Sequence, residues 1–481
     1  MSDRKRIAVA GASGFVGRAL VAALAERHHV FALARAVQKK AHEHIEWRAC
    51  DLFNLKAAED ALEGAEVAVY LVHSMLPPAR LTQGSFDDLD LICADNFARA
   101  AAAKGVRHIV YLGGILPKGA AALSRHLASR HEVERTLAAH GVPVTTLRAG
   151  LIIGAGGSSS EMMTKLVRRL PVMVTPRWTR TLSQPIALED VIPLLEHAIE
   201  TPSLAGRAYD IGGTEVVSYA EMLRRTGRAL GKRTHVITLP VRTAKLSLLW
   251  VSAITGAPQV LVRPLVESLG HDMVVTDGGE LQASLKQAPA SLDVSLRRAI
   301  TEGTRREDSR MPEGPARKLP APRTVCSIQR LPLGRGRDAQ WVAEEYMRWL
   351  PRFLGPFLRV TCDDQGVCRF VFRPVAKPLL ELRLARERST PQRQLFYVTG
   401  GLLSAQVEGT RPRLEFRAVL GGEFVLAAIN DFVPRLPWLL YKVTQAIFHL
   451  WVMRSFGRHL ANDGSPRTPA DSVVTSATLS A

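Results

Sequence analysis

Three glycines at regular spacing, Gly11, Gly14 and Gly17, carry the clearest chemical signal in this chain. They follow a short apolar run at residues 7–10 and precede apolar residues at helical spacing. A strand that turns into a helix through glycines brings backbone N–H groups and the helix N-terminus close to an anion. Glycine permits the tight turn, the approach of phosphate and the packing of helix on strand. We therefore predict a pyrophosphate site formed by Gly11, Ser13, Gly14, Phe15, Val16 and Gly17.

The end of the second predicted strand, residues 29–35, indicates which dinucleotide would bind. Sites specific for NAD usually place Asp or Glu there, to bond the ribose 2′-hydroxyl. This chain has Arg35 instead, followed by Lys39 and Lys40. Because a guanidinium suits a 2′-phosphate in charge and geometry, we expect NADP(H) to be preferred over NAD(H).

Strands and helices alternate along residues 1–300. Apolar runs predict strands at residues 7–10, 29–35, 45–54, 65–75, 108–115 and 143–154, and helical spacing predicts helices at residues 86–106 and 124–142. This alternation is typical of an α/β fold with a doubly wound parallel sheet of Rossmann type, whose ligand crevice lies at the carboxyl ends of the strands. Residues from about 155 to 300 would form a cap on the substrate side.

The chain resembles the atypical and extended short-chain dehydrogenases/reductases, including the NmrA-like proteins and the NADPH-binding 39 kDa subunit of respiratory complex I. The resemblance lies in the Gly-x-x-Gly-x-x-Gly spacing and in the segments YLGG, SRHLASRHEVERTL, RAGLIIGAGGSSSEMM, QPIALEDV and GRAYDIGGTEVVSYAEML. It implies a Rossmann fold and a nicotinamide dinucleotide. It also implies that Asp51 and Leu52 flank the adenine, and that Leu71, Val72 and His73 run past the adenosine ribose.

The usual catalytic residues of that superfamily are replaced in this chain. Aligned by position, the tyrosine falls on His126, the lysine on Arg130 and the serine on the pair Gly113 and Gly114. Two interpretations stay open. In one, His126 donates a proton, because histidine can titrate near neutrality, and Arg130 holds the ribose hydroxyls. In the other, both are structural replacements in a site without hydride transfer.

A strongly apolar stretch, residues 245–269, suggests the kind of substrate. Gly256, Pro258 and Arg263 interrupt it, so it lacks the unbroken run of a transmembrane helix. It is interpreted either as helices that cap an apolar pocket or as plain domain core. We expect an oxidoreductase that acts on a lipophilic carbonyl or alkene, such as a quinone, isoprenoid or acyl compound. The alternative is a non-catalytic NADP(H)-binding redox sensor or assembly factor.

The composition of residues 301–481 predicts a separate C-terminal unit. A linker rich in proline and charge occupies residues 301–324, a smaller α+β domain residues 325–461, and a disordered tail residues 462–481. A helix, an antiparallel sheet and a long final helix resemble a helix-grip arrangement. The final helix, residues 436–460, is apolar almost all round and is either buried on its sheet or pressed onto a membrane, with Arg454 and Arg458 facing anionic headgroups.

Composition restricts the partners. The formal net charge is +18 and the isoelectric point is near 10.1, but the charge is spread along the chain and no nucleic-acid motif is present, so no nucleic-acid partner is expected. No signal peptide is visible, which predicts a cytoplasmic protein with peripheral inner-membrane contact as an alternative.

No Cys/His set has zinc spacing. Cys362 and Cys368 could face each other across a hairpin, and we expect them to be reduced.

Overall fold

The computed structural model describes residues 4–36, 42–73, 81–117, 123–239, 269–277, 279–285, 288–309, 324–373, 375 and 377–463. The chain divides into two compact units. The first comprises Met1–Leu76 and Leu89–Lys318, and the second Pro77–Asp88 and Leu319–Ala481. The second unit therefore includes a segment from the N-terminal part of the chain, which the sequence did not predict.

The described elements, in chain order, are as follows. The strands are β1 (Arg6–Ala10), β2 (His29–Ala34), β3 (Ile45–Ala49), β4 (Val67–Tyr70), β5 (Leu81–Gln83), β6 (His108–Gly114), β7 (Val144–Ala149), β8 (Ile152–Ile153), β9 (Val172–Thr175), β10 (Leu182–Ser183), β11 (Ile186–Ala187), β12 (Ala208–Ile211), β13 (Val217–Ser218), β14 (His235–Thr238), β15 (Val325–Pro332), β16 (Leu358–Cys362), β17 (Val367–Phe372), β18 (Pro378–Leu384), β19 (Arg393–Gly400), β20 (Arg413–Val419) and β21 (Phe424–Phe432). The helices are α1 (Phe15–Ala25), α2 (Leu55–Ala61), α3 (Phe86–Ala103), α4 (Arg125–Ala138), α5 (Ser158–Arg169), α6 (Leu188–Glu200), α7 (Tyr219–Ala229), α8 (Glu280–Ala283), α9 (Leu292–Ser309), α10 (Ala339–Phe353), α11 (Trp438–Val443) and α12 (Gln445–Asp463).

The first unit is built on a parallel sheet, as predicted. In the part of the chain that the structure describes, its strands run in the order β12-β7-β6-β4-β1-β2-β3, and each neighbouring pair is parallel. The strands are apolar on both faces because helices cover both sides, and Ile7, Val9 and Val69 are fully buried. The strand order reverses beside β1, so the carboxyl ends of β1 and β4 flank the crevice where such sheets bind ligands.

Two segments of the first unit differ from the prediction, and a third lies almost entirely outside the described residues. The strand expected over residues 143–154 is divided, because β7 ends at Ala149 and β8 leaves the sheet to pair with β11. Helix α9 continues to Ser309 and so occupies the first residues assigned to the linker. The apolar stretch 245–269 lies outside the described residues except for Leu269, as does most of the predicted disordered tail, from residue 464 on.

The second unit has the predicted α+β composition. Its sheet has the order β16-β17-β18-β19-β20-β21-β15-β5. The pairing is antiparallel except that β5 joins β15 in parallel, which makes the sheet mixed. Apolar residues of α10 and α12 pack with those of the sheet in one cluster that includes Trp349, Phe416 and Phe456. A helix, a sheet and a final helix therefore occur in the predicted order.

The prediction of one continuous final helix is wrong. The backbone breaks at Thr444, which has φ −122° and ψ −85°, between α11 and α12.

The structure also decides in part whether the final helical segment is buried or exposed. Val452, Phe456 and Leu460 are buried on the sheet side, whereas Leu439 is 79% exposed and Ile447 58%. In the described part of the chain, no helix has the length and apolar character needed to cross a membrane.

The expectation of reduced cysteines at the hairpin is also wrong. Cys362 and Cys368 form a disulfide. They are directly opposite each other in the β16–β17 register, with their Cα atoms 4.1 Å apart. The hairpin geometry brings the two thiols together, as the sequence allowed, but the redox argument was given more weight than this geometry.

Candidate functional site

The predicted glycine loop has the geometry that a pyrophosphate site needs. Gly11 has a φ of +84°, a conformation open to glycine at little cost. A Cβ on Gly17 would lie 2.1 Å from the carbonyl oxygen of Gly11, so only glycine permits this approach of helix to turn. Gly14 is the N-cap of α1, and no side chain caps the helix. The first-turn N–H groups therefore have no capping acceptor, as a phosphate-binding helix requires.

One other loop residue, Phe15, contacts the substrate side. The ring of Phe15 packs against Gly154 and Gly157. A Cβ atom added to either glycine would lie only 2.9 Å (Gly154) or 3.0 Å (Gly157) from Cζ of Phe15. Ser13 is exposed, and its carbonyl oxygen accepts a hydrogen bond of 2.7 Å from Arg18. The loop is therefore in contact with the segment before α5.

The residues expected at the adenosine half lie at the same edge of the sheet. Arg35 directly follows β2 and is exposed. Asp51, after β3, is also exposed and accepts from the N–H of Phe53 at 3.2 Å. Leu52 is buried, and its carbonyl accepts 2.7 Å from Asn96. Because β1, β2 and β3 are adjacent and parallel, the structure brings these predicted residues to the edge that carries Gly11.

The segment after β4 supports the glycine loop from the other side. The N–H of Leu71 donates to the carbonyl of Ala10 at 3.0 Å, and the carbonyl of Leu71 would lie 3.1 Å from a Cβ on Gly11. Val72 follows it and is half-buried, and His73 then reaches a cavity.

A cavity of about 420 Å³ lies at this edge of the first unit. It connects the two parts of the predicted site, since Val16 from the first turn of α1 lines it together with His73, His126 and Arg130. Gly113 and Gly114, at the predicted serine position, also line it. The remaining wall is mostly apolar and includes Leu112, Leu127, Met162, Met163, Leu166, Trp178, Leu223 and Met273. A few polar groups in an apolar cavity are typical of a small-molecule site.

His73 and Arg130, two polar residues of the cavity wall, belong to an ion-paired network with Asp90. Arg130 and Asp90 are paired and buried, at 7% and 1% exposure. Nδ1 of His73 is 2.7 Å from Nη2 of Arg130 and 3.0 Å from Oδ2 of Asp90. Since a guanidinium only donates and a carboxylate only accepts, Nδ1 of His73 accepts from Arg130 in one tautomer and donates to Asp90 in the other. Nε2 of His73 is buried and has no hydrogen-bond partner among the described residues.

His126 is the second imidazole of the cavity. Its ring centroid is 5.0 Å from that of His73, and its Nδ1 is buried without a partner in the described part of the chain. Burial, followed by the neighbouring His73 and Arg130, lowers the pKa of His126 to about 3. Burial and then the charge of Arg130 also lower the pKa of His73. The expectation that His126 titrates near neutrality is therefore wrong, and the ring is neutral at pH 7.

Asp90 is the site residue that sequence reasoning missed. It lies on α3, in the run Leu89-Asp90-Leu91-Ile92, and all four of these residues are buried. An acidic residue on the apolar face of a helix was the available signal, because a buried carboxylate needs a partner. Its partner, Arg130, is forty positions away and cannot be identified from spacing.

Comparisons with known proteins agree with this geometry. Residues 11–167 match a family model described as NAD(P)H-binding. The auxiliary protein GraX of Staphylococcus aureus is 31% identical over 145 residues, which is 30% of this chain and 43% of that protein. The chain therefore spans less than half of that relative. The ceramide reductase of Caulobacter vibrioides is 27% identical over 264 residues, 53% of this chain and 80% of that protein.

A solved structure gives the same fold. The NADPH-dependent quinone oxidoreductase QOR2 of Escherichia coli, complexed with NADPH, is 19% identical and superimposes with a TM-score of 0.50 over 61% of this chain and 99% of its own. The glycine loop, the parallel sheet and the matching family model together show that residues 11–167 carry an NAD(P)H-binding domain on a sheet of Rossmann type.

Proposed function

We propose that the first unit is an NADP(H)-dependent reductase that acts on the carbonyl or alkene group of a lipophilic substrate. The observation that carries this proposal is the apolar cavity that begins at Val16, beside the glycine loop, and contains two neutral imidazoles. The relative named ceramide reductase supports a lipid-like substrate, because its name denotes reduction of a lipid. Arg35, exposed at the end of β2, supports the preference for a 2′-phosphate.

The residues of the chain would divide the work as follows. The first turn of α1 would bind the pyrophosphate, and a bound NADPH would supply the hydride, while solvent water would supply the proton that the reduced group also needs. His126 polarises the carbonyl oxygen as a neutral hydrogen-bond donor, since its pKa of about 3 rules out a charged ring at pH 7. Arg130 is held by Asp90 and keeps the positive charge near the ribose end of the cavity.

The test is NADPH oxidation across a panel of quinones, enals and long-chain ketones. We expect His126→Ala to lower kcat by about a hundredfold, the lower range for the loss of one hydrogen-bond donor to a developing oxyanion, with the Kd for NADPH unchanged. His131→Ala is the matched control, because His131 lies on the same helix α4 but does not line the cavity. Equal kcat in wild type and His126→Ala would contradict the role of His126.

The same assay distinguishes the non-catalytic alternative. A sensor or assembly factor would bind NADPH with a measurable Kd but oxidise it with no member of the panel. The replaced tyrosine, lysine and serine positions favour that alternative, whereas the apolar cavity favours the reductase. Binding without turnover across the whole panel would therefore overturn the proposed reaction and leave the cofactor site standing.

A membrane surface is a second proposed partner. The outer faces of α11 and α12 expose a row of apolar side chains, namely Leu439, Leu440, Val443, Ile447, Phe448 and Trp451. Arg454 and Arg458 follow on α12 and are exposed. Apolar residues beside basic ones suit an anionic bilayer surface. We expect co-sedimentation with anionic but not neutral vesicles at low salt, and loss of it in a Leu439→Glu/Val443→Glu variant. No binding to either vesicle would dismiss this partner.

A further inference from the structure

The second unit contains a cavity of its own. It has a volume of about 160 Å³ and lies between one face of the sheet and helices α10, α11 and α12. Its walls are aliphatic and aromatic, including Leu350, Phe370, Leu382, Val398, Leu414 and Phe432. None of its described lining residues is charged. An engineered apolar cavity of about 150 Å³ binds benzene, so this one has room for a ring or a short alkyl segment.

Besides Tyr346 and Tyr441, three polar side chains line this apolar space. Ser327 reaches it from β15, and Gln445 and His449 reach it from α12. Gln445 and His449 are one helical turn apart, so they lie on the same face of the helix. Nε2 of His449 is 3.1 Å from Oγ of Ser327, and burial lowers the pKa of His449 to about 4, which keeps the ring neutral.

Gln445 differs from the other two. Its side-chain oxygen is buried and has no hydrogen-bond partner among the described residues. A buried acceptor without a donor costs about 1–3 kcal/mol, and such groups are usually satisfied by water or by a ligand. The acceptor stands at the start of α12, directly after the backbone break at Thr444.

The cavity also has an opening. Phe448 lines it and is nevertheless 49% exposed, so the wall reaches the surface between Gln445 and His449. A ligand longer than the cavity could therefore extend outward past Phe448 along the exposed apolar row of α12.

We propose that the second unit binds a lipophilic alcohol or phenol in this cavity, with the hydroxyl group donating to Gln445 and the apolar body filling the space below it. The site involves no residue of the NADP(H) cavity, and the proposal does not depend on the proposed reaction.

The probes are 4-methylphenol and toluene, which differ by one hydroxyl group, titrated calorimetrically into the full chain. Toluene is the more apolar molecule and would bind more tightly to an apolar site that offers no hydrogen bond. We expect 4-methylphenol to bind about tenfold more tightly, the effect of one hydrogen bond to an otherwise unpaired acceptor. Equal affinity, or tighter binding of toluene, would overturn the proposal without any variant.

Two variants assign the effect to the cavity. Gln445→Leu keeps the size of the side chain and removes the acceptor, so the preference for 4-methylphenol should disappear while toluene binding persists. Val452→Phe fills the cavity and should weaken both probes. Gln340→Leu, the same change at an exposed glutamine of α10 outside the cavity, should alter neither. Retained NADPH binding and circular dichroism check folding, and an undiminished preference in folded Gln445→Leu would also overturn the proposal.

Discussion

The two cavities of this chain are lined by similar apolar side chains but differ in their polar groups. The cavity of the first unit, about 420 Å³, is lined by two imidazoles and by Arg130, which is ion-paired with the buried Asp90. The described lining of the cavity of the second unit, about 160 Å³, has only uncharged polar groups, those of Ser327, Gln445, His449, Tyr346 and Tyr441. A fixed charge in a low-dielectric cavity can stabilise charge that develops during a reaction. Uncharged groups can select a ligand, so the difference fits the reaction that we propose for the first cavity and the ligand binding that we propose for the second.

The largest expected effect comes from breaking the ion pair that distinguishes the first cavity. Asp90→Asn leaves the charge of Arg130 buried without its partner, and we expect the free energy of unfolding of the first unit to fall by about 3–5 kcal/mol. His449→Leu in the second cavity removes no charge and should cost less than about 2 kcal/mol. Urea unfolding measures both.

A double variant makes this test specific. Adding Arg130→Met to Asp90→Asn removes the unpaired charge as well, so part of the lost stability should return. Asp60→Asn, which breaks an exposed ion pair with Lys56, should change stability by less than about 0.5 kcal/mol. If Asp90→Asn behaved like Asp60→Asn, the ion pair would not be the feature that separates the two cavities.

The next effect concerns the cofactor, which we assign to the first unit alone. Arg35→Ser should weaken NADPH binding by roughly 10- to 100-fold, the range for one charge-assisted contact to phosphate, and leave NADH binding nearly unchanged. Calorimetry with both nucleotides gives the ratio. Arg27→Ser, at an exposed ion pair on the same unit, is the control. Equal weakening of both nucleotides would remove the role of Arg35 in selecting the 2′-phosphate.

The smallest effect is a pH dependence that both cavities share. Burial lowers the pKa of His126 to about 3 and that of His449 to about 4. In the unfolded chain a histidine takes up a proton below about pH 6.5, whereas these two stay neutral in the folded chain. For each of these histidines, the free energy of unfolding therefore falls as the pH falls from 6.5 towards 4, by at most about 1.4 kcal/mol per pH unit.

Urea unfolding at pH 7.5 and pH 5 measures this dependence. The variants His126→Gln and His449→Gln should each show a smaller loss of stability between the two pH values than the wild type, for the unit that carries the change. Identical losses in the wild type and both variants would show that the two rings are not held neutral by burial.

Local features of the chain were predictable to the extent that they depend on neighbouring residues. The glycine loop required only the conformations of Gly11, Gly14 and Gly17 and the apolar residues around them, and the structure has them as predicted. The break of the final helix at Thr444 was not predictable, because every residue around it is compatible with a helix. The disulfide of Cys362 and Cys368 was missed because the compartment argument was given more weight than the hairpin register.

The sequence by itself determined the alternation of strands and helices and the phosphate-binding turn, since both follow from apolar periodicity and from the conformational freedom of glycine. Only the tertiary structure decided that Asp90 of α3 meets Arg130 of α4, that His126 is neutral, and that β5 joins the sheet of the second unit. These depend on burial and on pairing between distant segments, and neither residue type nor spacing encodes which buried groups meet.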